Sequence, residues 1–157
     1  MTEMSKRKVC VFGTFHGYQY KVPRPKYLNE LRALIEIHSV DLVAEEATGI
    51  PGESYIQSEL SKDEFKTRVS WKNVDMTREE RAKVSDINPM GLGTLVDFNL
   101  YTTREQVWVA RTAEAMKDSA LLICGVAHTF SVAEKFKCAG FDVETHVYFD
   151  KLDDPKT

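Results

Sequence analysis

Two apolar runs that each stop at a glycine constrain this chain most. Lys8-Val9-Cys10-Val11-Phe12 ends at Gly13, and Ala120-Leu121-Leu122-Ile123-Cys124 ends at Gly125. Neither run alternates with polar residues, so each predicts a strand buried on both faces, as happens where helices cover both sides of a parallel sheet. The stretch after the first run supplies such a helix. Between Lys26 and His38 the residues Tyr27, Leu28, Leu31, Leu34 and Ile35 recur three and four positions apart and form one apolar stripe. Asp41-Leu42-Val43-Ala44 then resumes the strand pattern and runs into Glu45-Glu46. Strand, helix and strand in this order predict two parallel strands joined by a right-handed crossover.

The rest of the chain continues the alternation. Residues 48–66 read as an insertion with a short helix from Ser58 to Lys66. Val69 to Met76 reads as a third strand ending near Asp75, with Thr77 capping an acidic helix from Arg78 to Val84. Asn88 to Gly93 breaks that helix. Thr102-x-x-Glu105 and Ser131-x-x-Glu134 have capping-box spacing. They predict a largely buried helix through Met116, apolar almost all round at Val107 to Ala110, and a second helix from Ser131 to Ala139 closed by Gly140. Phe141, Val143, Thr145, Val147 and Phe149 alternate with polar neighbours, which suits a strand at the sheet edge, and 151–157 is a charged tail. The expectation is a single α/β domain over 1–157, with a mostly parallel central sheet flanked by helices and the last strand at an edge.

Composition narrows the function classes. A chain of 157 residues suits one domain. Its 24 acidic and 21 basic residues give a net charge of −3, against a generally basic surface for nucleic acid. The local Lys21-Val22-Pro23-Arg24-Pro25-Lys26 reads as an exposed, stiff loop because of its prolines. No apolar run reaches membrane-span length and no export leader is indicated. Cys10 and Cys124 lie inside apolar runs, where a reduced thiol acts as a small hydrophobe. A cytoplasmic protein with a small-molecule or peptide substrate, bound to neither nucleic acid nor membrane, is expected; nothing indicates the oligomeric state.

In an open α/β sheet ligands bind outside the carboxyl ends of the strands. Here those ends carry Gly13-Thr14-Phe15-His16-Gly17, Glu45-Glu46, Asp75 and Gly125-Val126-Ala127-His128. Gly13 and Gly125 allow sharp turns off the sheet, and two of the four histidines follow them at the same spacing. His16 and His128 are therefore candidates for proton transfer or metal ligation, whereas His38, at a helix end, and His146, on a wet strand face, read as structural. Glu46 lies farther toward the loop than Glu45 and is the preferred acid. Two histidines and a glutamate also make a recurrent divalent-metal set, so His16, Glu46 and His128 are candidate ligands for manganese, cobalt or zinc. Arg111, inside an apolar helix, needs an acid, a ligand oxygen or water as partner. It either bridges to Glu114 or an acidic strand end, or anchors a substrate or orients Glu46. Glu45, Tyr18 and Asp75 are candidate substrate contacts, and Tyr18, Gln19 and Tyr20 can line a pocket or donate hydrogen bonds.

The two Gly-x-x-His segments, together with Asp41-Leu42-Val43-Ala44-Glu45-Glu46, resemble the TraB/GumN/Tiki family and the wider clan containing erythromycin esterase and ChaN-like proteins. The resemblance spans nearly the whole domain. It places the family glutamate at Glu46 and makes Arg111 the candidate for the family arginine. It implies hydrolysis of an amide or ester bond by a water activated by His and Glu, with a divalent metal in the Tiki-like proteins and without an obvious one in the esterase-like ones. The alternative expectation is a non-catalytic module holding a nucleotide, haem or peptide in the same crevice. A nicotinamide cofactor is not expected, because Gly13 to Gly17 lacks the Gly-x-Gly-x-x-Gly fingerprint.

Overall fold

Both apolar runs become neighbouring central strands. The computed structural model describes residues 6–20, 23–50, 54–62, 69–86 and 93–149. Its strands are β1 (Lys8–Thr14), β2 (Leu42–Glu45), β3 (Ser70–Asn73), β4 (Ser119–Gly125) and β5 (Asp142–Val147). They form one all-parallel sheet in the order β3-β2-β4-β1-β5. The expected strand-helix-strand unit is present, but its two strands are not adjacent, because β4 inserts between β1 and β2. Every residue of β4 is buried, so the most continuously apolar segment takes the centre. β5 lies at an edge with most of its residues exposed.

Side chains on successive strand residues point to opposite faces, and two cores result. On one face Cys10, Phe12, Val43, Leu121 and Ile123 pack with α1 (Pro25–Ile37) and α2 (Tyr55–Leu60). On the other, Val9, Val11, Leu42, Ala44 and Leu122 pack with α4 (Gly93–Ala115) and α5 (Thr129–Cys138). Between β3 and α4 lies α3 (Arg78–Asp86). Pro25 opens α1, a position where its missing N–H costs nothing. Phe12, Tyr27 and Tyr18 stack in series at centroid separations of 5.4 Å each, and each such pair adds about 0.5–1.5 kcal/mol beyond area burial. The stack ties the loop after β1 to α1. Tyr18, expected at a substrate, is thus a core residue.

Several local expectations shift. The short helix of the insertion spans Tyr55–Leu60, earlier than Ser58–Lys66, and residues 63–68 lie outside the described residues, as do 87–92 and the tail. The third strand ends at Asn73. Thr77 and Glu80 do form a reciprocal capping box, with Glu80 N–H donating to Thr77 Oγ1 at 3.1 Å and Thr77 N–H to Glu80 Oε1 at 2.9 Å. The other two boxes do not form. Thr102 lies inside α4, and Ser131 lies inside α5 with its hydroxyl donating to Glu105 at 2.6 Å. Glu105 is instead held by His128 and Lys135, and α5 has already begun at Thr129, leaving Glu134 in an exposed pair with Lys137. Nor is α4 buried all round: Glu105, Trp108 and Thr112, with Met116 just past its end, face inward, while Ala110 is exposed. Gly140 closes α5 at φ +94°, a conformation L side chains rarely adopt.

Candidate active site at the carboxyl edge of the sheet

β1 leads to α1 on one face, and its neighbour β4 leads to α5 on the other. Loops that diverge in this way leave a crevice between the two strand ends, the usual ligand position in such sheets. His16 comes from the β1 loop, Gly125 ends β4, and Glu46 follows β2 on the far side of β4. A methyl group on Gly125 would lie 3.2 Å from His16 Nε2 and 3.6 Å from Glu46 Oε1, so glycine admits both side chains. Gly125 N–H donates to Glu46 Oε1 at 2.8 Å. His16 Nε2 stands 3.8 Å from Glu46 Oε2, and the imidazole is half exposed (49%) while the glutamate side chain is buried.

The acid is held from below by a residue the sequence reading overlooked. Arg104, in α4, donates through Nη2 to Glu46 Oε2 and, at 3.1 and 3.2 Å, to Asp75 through Nη2 and Nε. One planar guanidinium thus joins two buried carboxylates. Asp75 also accepts from Arg81, from Trp108 Nε1 at 2.8 Å and from Met76 N–H at 2.8 Å. Burial alone would raise the Asp75 pKa, but the Arg104 hydrogen bond and charge, with Trp108 and Arg81, hold it below the ordinary 3.8. Asp75, expected to face substrate, is instead wholly engaged with protein donors and belongs to the foundation of the site.

His128 stands on the same edge in a second cluster. Its Nδ1 is 2.7 Å from Glu105 Oε2, and its ring meets Trp108 edge-on at a centroid separation of 4.7 Å. Glu105 also accepts from Ser131 and from Lys135 Nζ, the latter at 2.8 Å. Its burial is outweighed by these hydrogen bonds from His128, Lys135 and Ser131, so its pKa falls below 4.5. Arg104 lies over the Trp108 ring at 5.2 Å, and Trp108 thereby packs against both clusters.

Arg111 does not reach this network's acids as expected. It donates to the Asp75 backbone carbonyl at 2.8 Å and to Glu80 at 2.6 Å. The reason is direction: the connection from β3 to β4 must bring α4 back across the sheet, so its earlier residues lie nearer the carboxyl edge. Arg104 and Arg111 are seven positions apart, two helical turns on one side, and the earlier one meets Glu46. Glu45 is fully buried against Gln19, Ser54 and Trp71. His38 pairs with Glu144 at 3.2 Å and His146 with Glu30 at 2.8 Å, in keeping with structural roles. Cys10 and Cys124 are buried free thiols, and burial pushes the Cys10 pKa up to about 12.

The proposed metal set does not assemble. Among the described residues no group of three or more His, Cys, Asp or Glu is arranged to hold a metal ion. Glu46 already has its two oxygens on Arg104 and Gly125 N–H.

The depressed carboxyls make stability depend on acid. A group whose folded pKa is lowered stabilises the fold above its unfolded pKa and loses that contribution as pH falls through the folded value. Asp75 and Glu105 therefore predict a loss of stability as pH drops below their ordinary values of 3.8 and 4.5. Glu45 acts in the opposite sense: burial raises its pKa despite the Gln19, Ser54 and Trp71 hydrogen bonds, so its contribution is lost as pH rises through the raised value. Urea unfolding across a pH series is expected to show the acid loss, with a shallower slope in Asp75→Asn. An unchanged slope in that variant would remove Asp75 from the account.

Comparison with known proteins finds no matching family model, no matching curated protein and no matching solved structure.

Proposed function

We propose that this chain is a hydrolase of an amide or ester bond that activates water between His16 and Glu46 without a metal. One distance carries the reading: the 3.8 Å gap between His16 Nε2 and Glu46 Oε2. It is too long for a direct hydrogen bond, yet a water about 2.8 Å from each atom closes a triangle on that base. The imidazole is exposed enough to meet a substrate and the carboxylate is held rigid by Arg104 and Gly125 N–H. In the reaction the water oxygen attacks the carbonyl carbon while its proton passes to His16 Nε2. Glu46 orients the water and stabilises the imidazolium that forms. The tetrahedral intermediate then collapses with cleavage of the carbon–oxygen or carbon–nitrogen bond, and the leaving group takes a proton. That proton is the one His16 Nε2 took from water, which restores the neutral imidazole, and His128, held by Glu105, is the second imidazole on this edge able to relay it. The reaction class follows the resemblance to the TraB/GumN/Tiki family and its esterase-like relatives, in the metal-free form.

The test is a panel of p-nitrophenyl esters, lactones and p-nitroanilides, with and without a chelator. Hydrolysis that survives chelation and falls by about 10²–10⁴ in His16→Ala is expected. Equal rates in the two proteins, or no turnover of any class, would overturn the reading. Thermal stabilisation by a nucleotide or haem that persists in His16→Ala would point to the binding-module alternative.

A further inference from the structure

Gln19 lies between His16 and a second buried acid, Glu45. It is fully buried, immediately after the short 3₁₀ turn His16–Tyr18. Its Oε1 is 2.9 Å from His16 Nδ1, and its Nε2 donates to Glu45 Oε2 at 2.8 Å and to the Glu46 backbone carbonyl at 3.1 Å. The amide has only one consistent orientation. Rotated by half a turn, its oxygen would face a carboxylate and a carbonyl, both of which only accept. The carbonyl therefore faces the imidazole, and Nδ1 must carry the ring proton.

Glu45 enforces this choice because it is itself anchored. Ser54 Oγ donates to its Oε2 at 2.7 Å and Trp71 Nε1 to its Oε1 at 2.8 Å. Ser54 is fixed in turn as the N-cap of α2, accepting from Ile56 N–H at 3.1 Å. The orientation of one helix cap and one indole is thus passed through a carboxylate and an amide to a histidine ring.

We propose that Gln19, backed by Glu45, is a positioning pair that keeps neutral His16 in the Nδ1–H tautomer, so that Nε2, the nitrogen facing Gly125 and Glu46, is the proton acceptor. The inference rests on the hydrolase reading only for its consequence; the tautomer itself is a property of the resting protein. When Nε2 takes a proton from water, the Nδ1–H bond to Gln19 strengthens, and the Glu45 charge stabilises the imidazolium through the amide dipole.

The test reads the proton position directly, by long-range ¹H–¹⁵N correlation on the histidine rings at a pH where they are neutral. Wild type is expected to show Nδ1–H at His16. Glu45→Gln keeps the shape but adds a donor: the new amide must turn its oxygen to the Trp71 N–H, which leaves its NH₂ against the Gln19 NH₂. The Glu46 carbonyl still accepts from the Gln19 NH₂, so the Gln19 orientation is expected to be weakened rather than reversed, giving His16 a measurable share of Nε2–H, and kcat on the best p-nitrophenyl ester is expected to fall with KM little changed. Gln19→Leu removes the constraint and is expected to give a tautomer mixture; Glu45→Gln keeps the test open if that variant does not fold. Nε2–H in wild type, or an unchanged tautomer in Glu45→Gln, would overturn the proposal. A tautomer that moves as expected in a protein without hydrolytic activity supports the relay and sinks the hydrolase reading instead.

Discussion

Replacing Arg104 by alanine is expected to destabilise the fold by about 3–5 kcal/mol and to abolish hydrolysis, because it strips one buried carboxylate of its main partner and weakens another. The guanidinium side chain is 15% exposed and its acids, Glu46 and Asp75, 4% and 0%. Asp75 retains Arg81 and Trp108, whereas Glu46 keeps, among the described residues, the Gly125 N–H and the more distant His16. Arg104→Lys restores the charge without the planar fork, so it should recover part of the stability and little of the activity. Arg111→Ala is the control on the same helix. Its partner Glu80 is 37% exposed and screened by solvent, so even with the Arg111 bond to the Asp75 carbonyl the loss should be clearly smaller than at position 104. Chemical denaturation of the three variants decides the matter. Equal losses at positions 104 and 111 would mean that the Arg104 bridge to Glu46 is not what holds this edge together.

These two arginines also show what a single sequence reveals and what it hides. The strands were readable because burial on both faces leaves an unbroken apolar run; the glycines near their ends proved to be sites where Thr129 and His16 approach the backbone rather than left-handed turns. His16 and Glu46 followed from the same reasoning, since strand ends in a parallel sheet share one edge. Strand order was not readable: nothing in Ala120 to Cys124 says that it inserts between two earlier strands, a matter settled by how the whole core packs. The choice between Arg104 and Arg111 needed the start of α4, and Thr102-x-x-Glu105 imitated a helix start there. Glu105 satisfies that spacing, yet it bonds His128 and Lys135 from inside a longer helix. A capping pattern records local preference only, and charged partners brought by tertiary structure outweigh it. Gln19 was visible as a polar residue between two tyrosines, but its role depends on Glu45, 26 positions away.

Glycine at 13 and at 125 is expected to be indispensable for different reasons, and alanine at each separates stability from chemistry. A methyl on Gly13 would lie 2.0 Å from Thr129 Oγ1 and 3.1 Å from its Cβ, and Thr129 is a buried residue in the first turn of α5. Either the threonine or the helix must move, at a cost of about 1–3 kcal/mol or more. The shift also drags His128, which immediately precedes α5, away from Glu105. Removing the obstacle should reverse this: Gly13→Ala with Thr129→Ala is expected to be more stable than the sum of the single changes by about 1–3 kcal/mol. At Gly125 the added methyl meets His16 Nε2 at 3.2 Å, and that ring is half exposed and can swing outward. Stability should therefore change by less than about 1 kcal/mol, whereas the base, which must give by a few tenths of an ångström, leaves its working position and hydrolysis should slow measurably, by less than the about 10²-fold that a 1 Å misplacement costs. Thermal melts and ester hydrolysis on the same preparations separate the two outcomes. If Gly125→Ala hydrolyses as fast as wild type, His16 does not act from the position beside that glycine, and the water between His16 and Glu46 loses its part in the reaction.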